Sequence, residues 1–324
     1  MLKKCLVFIS ILFSFQGVAG TESSYCLGFV HIGERLPDYL VDAVAQARLF
    51  NPNCKIYVMV NEIVKQKLEN SFKDMNISLV TIESTPLTSE HIIFNEKYVD
   101  NPQQGFWRFT KERFLYLYDL MHFLNIDTLF HLENDNMLYV NLAEILPVFK
   151  QHYPSIGLTL ENDGQVVAGF MYIASVQAMK KLASFFAETA DKPRNDMQLL
   201  AAFRATVEGG SDNLPIIMPE YTKDHVLISS NKRKGKNPEA YCKHIKQFNS
   251  LFDAAGIGLY LGGRIKIGKA GFINPNSIFN PEDLEYVWEA DVQDRKVPFV
   301  LYKNSKYRMN NLHIHSKELS KFKS

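Results

Sequence analysis

Apolar and polar positions follow two rhythms along the first two-thirds of the chain. Short apolar runs read as strands at residues 26–31, 55–60, 78–82 and 128–132. They are rich in β-branched and aromatic residues and bounded by turn formers. Between them, apolar residues recur at helical spacing. Pro37 opens one stretch to Phe50, with Leu40, Val41, Val44 and Ala47 on one face. Asn61 stands where it could cap a second helix, to about Ser71. The strongest stripe, Phe114, Leu115, Leu117, Tyr118, Met121 and Leu124, predicts a helix over 110–124. Residues 87–105 show neither rhythm and read as a loop.

The pattern continues with a helix over 142–150, strands over 156–160 and 166–174, and helices over 176–189 and about 196–206. Strands alternating with helices predict an α/β fold, a mostly parallel Rossmann-like sheet with helices on both faces. After Gly209-Gly210 the regularity fades, and Gly, Pro and Asn accumulate over 256–281. The expected organisation is a core over 21–210 and, in the same domain, a second region with a returning tail over 211–324. A hydrophobic share of 46% in 324 residues is ample for such a core.

Charge narrows the partners. Lys and Arg number 36 against 35 Asp and Glu, a net charge of +1. A nucleic-acid partner is not expected from that balance. The local basic run Lys232-Arg233-Lys234-Gly235-Lys236 reads as a solvated loop or a clamp on an anionic surface. At the N-terminus, Lys3 and Lys4 precede an apolar run from Cys5 to Phe15 and then small residues to Gly20. Eleven residues rise only ~16 Å as a helix, so residues 1–20 are read as a cleaved signal peptide, with a signal-anchor as the alternative. Membrane contact is expected only if that segment is uncleaved. Outside it, Cys26, Cys54 and Cys242 allow at most one disulfide. Asn76-Ile77-Ser78 is a glycosylation sequon.

The most informative stretch is Leu132-Glu133-Asn134-Asp135-Asn136. Alternate residues of an extended segment point the same way, so Glu133 and Asp135 can converge on one hard cation. In open α/β sheets, ligands bind beyond the carboxyl ends of strands. An acidic turn with a helix cap fits the same residues.

Leu129-Phe130-His131-Leu132-Glu133-Asn134-Asp135 resembles the Asp-x-Asp segment of the GT-A glycosyltransferases, in particular their glycogenin-like and galactosyltransferase-like branches. The likeness runs over about residues 26–205, with a weaker echo at the C-terminus. It implies a GT-A fold in which this motif follows the fourth strand, with Glu133 in place of the first Asp. It also implies Mn²⁺ or Mg²⁺ as cofactor, a nucleotide-sugar donor, UDP-linked in the first instance, and a hydroxyl acceptor on a glycan or protein.

Further matches follow from the same resemblance. Ala168-Gly169-Phe170 is similar to a donor-sugar strand, although Val167 stands where the family has Asn. Asp196 and Gln198 match an Asp-Gln pair at a helix start, with Asp196 as general base if the reaction inverts and as an N-cap otherwise. Leu312-His313-Ile314-His315-Ser316-Lys317 matches a C-terminal metal-binding His followed by a phosphate-binding Lys, at altered spacing. That implies His313 or His315 on the metal and Lys317 on the diphosphate. Arg113, from the helix before the motif strand, is implied as a donor-phosphate contact. Gly262-Gly263-Arg264 suggests an acceptor-side loop.

A metal-dependent glycosyltransferase is therefore the expected activity. The rivals are a non-catalytic carbohydrate-binding protein on the same scaffold and a nucleotidyltransferase, whose glycine-rich phosphate loop is absent after the first strand. The signal-like N-terminus implies a secretory-pathway lumen (endoplasmic reticulum or Golgi) or export.

Overall fold

The computed structural model describes residues 25–99, 105–265 and 269–324. The expected signal segment, residues 1–20, lies outside the described residues. In chain order the first half reads β1 (Cys26–Val30), α1 (Asp38–Phe50), β2 (Lys55–Val60), α2 (Glu62–Phe72), β3 (Ile77–Thr81), α3 (Ser89–Lys97), α4 (Gly105–Phe123), β4 (Leu129–Leu132) and β5 (Asn136–Leu138). There follow α5 (Leu142–His152), β6 (Ile156–Asn162), β7 (Gln165–Ile173), α6 (Val176–Glu188), α7 (Asp196–Thr206) and β8 (Ser211–Asn213). The remainder holds α8 (Pro219–Asp224), α9 (Ile245–Phe248), β9 (Ser250–Leu251), α10 (Ile257–Gly262), β10 (Glu285–Ala290), β11 (Lys296–Tyr302), β12 (Ser305–Met309) and β13 (Asn311–His313).

Seven strands form the central sheet in the order β3-β2-β1-β4-β7-β6-β8. β1 pairs parallel with both β2 and β4, and β2 with β3. β7 alone runs against its neighbours β4 and β6, while β8 pairs parallel with β6. The sheet is thus mostly parallel and the protein is α/β, as its pattern implies. The two buried strands β6 and β7 have no exposed position along their length, the mark of a strand covered on both faces. A ring cluster packs the sheet beneath α5. Phe149 stacks on Tyr172 at 4.5 Å, and Phe130 meets Phe149 edge-on at 5.2 Å.

Two elements differ from the sequence pattern. Residues 87–105 contain a helix, α3, capped by the Thr88 hydroxyl, which accepts from the His91 backbone N–H. Its buried face is polar, since Glu90 and His91 are buried beside Phe94, so no apolar stripe announces it. α4 starts five residues before the expected Thr110. Beyond residue 210 the chain is also more regular than its composition suggests. β10, β11, β12 and β9 form a four-stranded sheet, and β13 pairs antiparallel with β5. That last pairing brings the C-terminal segment to the end of β4. No helix of the described residues is long and apolar enough to cross a membrane.

Candidate metal centre

β4 ends at Leu132, and the next residue marks the carboxyl end of the sheet. The Glu133 backbone N–H donates to the Gly169 carbonyl at 3.1 Å, extending the β4–β7 register by one residue. The chain then turns, with the Asn136 N–H donating to the Glu133 carbonyl at 3.0 Å. From the opposite side β13 delivers His313, in register with Asn136. The Ile314 N–H donates to the Asp135 carbonyl at 2.9 Å and locks the two segments together.

The result is a convergence of residues far apart in sequence. His313 Nε2 lies 3.0 Å from Glu133 Oε2 and 3.1 Å from Asp135 Oδ1. One ligand atom from each of Glu133, Asp135 and His313 falls within 4.8 Å of the others. Asp135 and His313 are 6% and 4% exposed. Two carboxylates and an imidazole facing one point form a donor set suited to a divalent cation of the Mn²⁺ or Mg²⁺ kind. The residues present fit such an ion.

Two cations of the chain already face these carboxylates. Arg113, from α4, forms ion pairs with Glu133 and, at 2.8 Å, with Asp196 Oδ2. Lys317 pairs with Asp135 and lies 5.3 Å from the Tyr39 ring centroid. Burial opposes ionisation of Glu133, yet Arg113 and His313 hold its carboxyl well below the usual range. Burial lowers Lys317 to about 8. Burial raises Asp196, with Arg113 opposing. His131, wholly buried behind the site, is pushed down to about 4 by burial and by Arg113, so it stays neutral and donates through Nδ1 to the Gly28 carbonyl at 3.0 Å.

The other sequence-predicted residues are placed as follows. Gly169 lies under the centre: a Cβ there would stand 2.7 Å from Asn136 Nδ2 and 2.9 Å from His313 Nδ1. Close approach, rather than a special backbone angle, is what requires glycine. His315 falls after β13, in a turn, and does not join the three-residue group. The strand ends at His313, so the alternation that would set His315 on the same face stops before it. Its ring sits 4.5 Å from that of His313, and burial drives its pKa to about 3. Asp196 is not the cap of α7. Asn195 caps it, in a reciprocal box with Gln198, which leaves the Asp196 carboxylate for Arg113. The Gln198 side-chain oxygen is correspondingly occupied by the Asn195 N–H at 3.3 Å. Gly262-Gly263-Arg264 closes α10, with Gly263 at φ 76°.

Asp253 is a residue the sequence pattern did not single out. Its fully buried carboxylate accepts from the backbone N–H groups of Gly256, Ile257, Gly258 and His313, at 2.8–3.0 Å. One side chain therefore ties the start of α10 to the strand that carries His313. The signal, an aspartate before Ala-Ala-Gly-Ile-Gly, is that of a side chain satisfying a helix start.

No family model matches the chain, and no curated protein matches it. Solved structures do. The crystal structure of mouse xyloside xylosyltransferase 1, apo form, is 12% identical, covers 62% of this chain and 90% of its own, and superposes at TM-score 0.43. The galactosyltransferase LgtC in complex with donor and acceptor sugar analogs is 11% identical, over 61% and 77% of the two chains, at TM-score 0.41. A cytidylyltransferase from Leptospira borgpetersenii is 14% identical, over 59% and 76%, at TM-score 0.38. Overlaps this loose carry no functional weight, and the reading of the site rests on its own chemistry.

Proposed function

We propose that the protein is a metal-dependent glycosyltransferase that moves a sugar from a nucleotide-sugar donor to a hydroxyl of a glycan or glycoprotein. The observation that carries this is the meeting of Glu133, Asp135 and His313 at the carboxyl end of β4, where open α/β sheets bind ligands. These three residues would hold Mn²⁺ or Mg²⁺. Such an ion supplies Lewis-acid stabilisation of the departing nucleoside diphosphate, worth several kcal/mol.

The chain's own residues do the rest. Arg113 is fixed by two carboxylates, so its guanidinium is held in place before any donor arrives. Lys317, with a pKa of about 8, is mostly charged at neutral pH and serves as a second positive group for the diphosphate. Gly169 lets Asn136 and His313 close onto the sheet and so seats the histidine at the centre. In the transfer, the anomeric carbon exchanges its bond to the diphosphate for one to the acceptor oxygen, whose proton must leave. Asp196, raised by burial, is the candidate to orient hydroxyls or to take that proton if configuration inverts. On the reading of residues 1–20 as a signal, we place the protein in a secretory lumen or outside the cell.

One observation favours a second reading. Arg113 and Lys317 neutralise Glu133 and Asp135 internally, as a carbohydrate-binding protein without a metal would need. The two readings separate in one experiment. The purified chain is incubated with a panel of nucleotide sugars, with Mn²⁺ and with chelator, and donor hydrolysis is followed. Metal-dependent hydrolysis that falls at least 100-fold in Asp135→Asn is expected. Carbohydrate binding unaffected by chelator, with no donor turned over, would establish the second reading instead.

A further inference from the structure

Among the buried polar atoms that find no hydrogen-bond partner in the described residues are Asn136 Nδ2, His313 Nδ1 and Glu161 Oε2. Asn136 is 0% exposed, and His313 and Glu161 are each 4% exposed. Buried polar groups are almost always paired, with protein or with ordered water. Orphans this deeply buried call for a partner.

Their placement fits. Asn136 Nδ2 and His313 Nδ1 both face the Cα of Gly169 on β7. Glu161 lies on β6, the strand beside β7, at a register shift between Leu160 and Asn162. Its other oxygen, Oε1, accepts from Asn274 Nδ2 at 2.6 Å, which aims the carboxyl. Asn274 in turn donates to the Ala255 carbonyl, in the loop whose Asp253 holds the His313 backbone. Burial raises the Glu161 pKa, and Asn274, Arg233 and the His313 ring each oppose it, so the carboxyl lies within electrostatic reach of that ring.

We propose that Glu161 is a positioning residue for His313, joined to its Nδ1–H through one buried water that Asn136 Nδ2 also holds. The hydrogen-bond accounting closes. An imidazole that presents Nε2 to a cation carries its proton on Nδ1 and donates it. The water accepts from His313 Nδ1 and from Asn136 Nδ2 and donates to Glu161 Oε2, three bonds in all, the usual number for a buried water. Glu161 fixes the tautomer and the ring angle, and its negative charge strengthens the imidazole as a ligand. The inference rests on the metal reading of the site.

Two measurements on the full chain test it. The first is calorimetric titration with Mn²⁺ alone. Glu161→Gln, with wild-type circular dichroism and melting temperature, is expected to bind 10–100-fold more weakly, the usual effect of removing such a support, and Glu161→Asp to recover part of the loss. Affinity unchanged within twofold in Glu161→Gln, while His313→Ala abolishes binding, overturns the inference and leaves the metal reading standing. No Mn²⁺ binding by the wild type overturns the metal reading itself. The second measurement needs no variant to fold: with Mg²⁺ bound, ¹⁵N-histidine spectra of the wild type should show a slowly exchanging proton on His313 Nδ1. An unprotonated Nδ1 overturns the proposal.

Discussion

Gly169 illustrates how one missing side chain shapes the centre. It lies in an ordinary extended strand, so its backbone alone does not demand glycine. A Cβ would crowd two polar atoms of two different segments, Asn136 and His313. Overpacking of this kind typically costs about 1–3 kcal/mol. Gly169→Ala should therefore lower the melting temperature modestly and weaken Mn²⁺ binding more than it weakens the fold, because His313 is what must move. Melting curves and metal titration of the same preparation check this. A variant with wild-type values for both would mean that the contact at Gly169 is slack. At this scale the acidic residues were legible in the sequence, because a strand followed by alternating carboxylates is a local pattern. Of their partners, the resemblance offered His313 or His315 without choosing between them, and no local pattern paired Arg113 or Lys317 with the carboxylates, since these residues arrive from other elements.

At the scale of elements, α7 is positioned by its start. The Asn195 side chain accepts from the Gln198 N–H at 2.9 Å while Gln198 returns a bond to the Asn195 N–H. Losing such a cap costs about 1 kcal/mol. Asn195→Ala should destabilise the protein by about that amount in urea unfolding. It should also loosen the Arg113–Asp196 pair, because Asp196 is the first residue of the helix. An unchanged midpoint would show that packing of α7 against β7 holds the helix start without help. The helices with clear apolar stripes, α1 and α6, could be read to within a residue or two of their bounds. α3 could not, since its inward side presents His91 and Glu90 to polar partners on α4 and α6.

At the scale of the whole molecule, buried charge makes stability depend on pH. His91 is fully buried between α3 and α4, with Nδ1 2.5 Å from Asp119 Oδ2 and Nε2 3.5 Å from Glu112 Oε1. Burial disfavours its charge, but the two carboxylates outweigh burial and raise its pKa above the ordinary value of about 6.5. A histidine raised in the folded state binds its proton more tightly there than in the unfolded chain. Its contribution is complete below about pH 6.5 and is lost as pH climbs through the raised value. Wild-type stability relative to His91→Asn should therefore shrink between pH 6 and pH 9. A difference independent of pH would show that His91 stays neutral.

What the sequence determined by itself is what short-range chemistry can encode. Periodicity of two or of 3.6 residues sets strands and helices through the direction of successive side chains, and their alternation implied the α/β sheet. The acidic turn after the fourth strand is local in the same sense. Only the tertiary structure decided that His313 rather than His315 faces the carboxylates. The register of β13 on β5 settles that, and two segments 175 residues apart, Asn136 and Asn311, are joined there by a side-chain hydrogen bond at 3.0 Å. It likewise decided that Arg113 and Lys317 sit on the acidic pair, and that Asp253 holds the backbone of His313. Such contacts depend on where distant strands pair, and no local spacing records that.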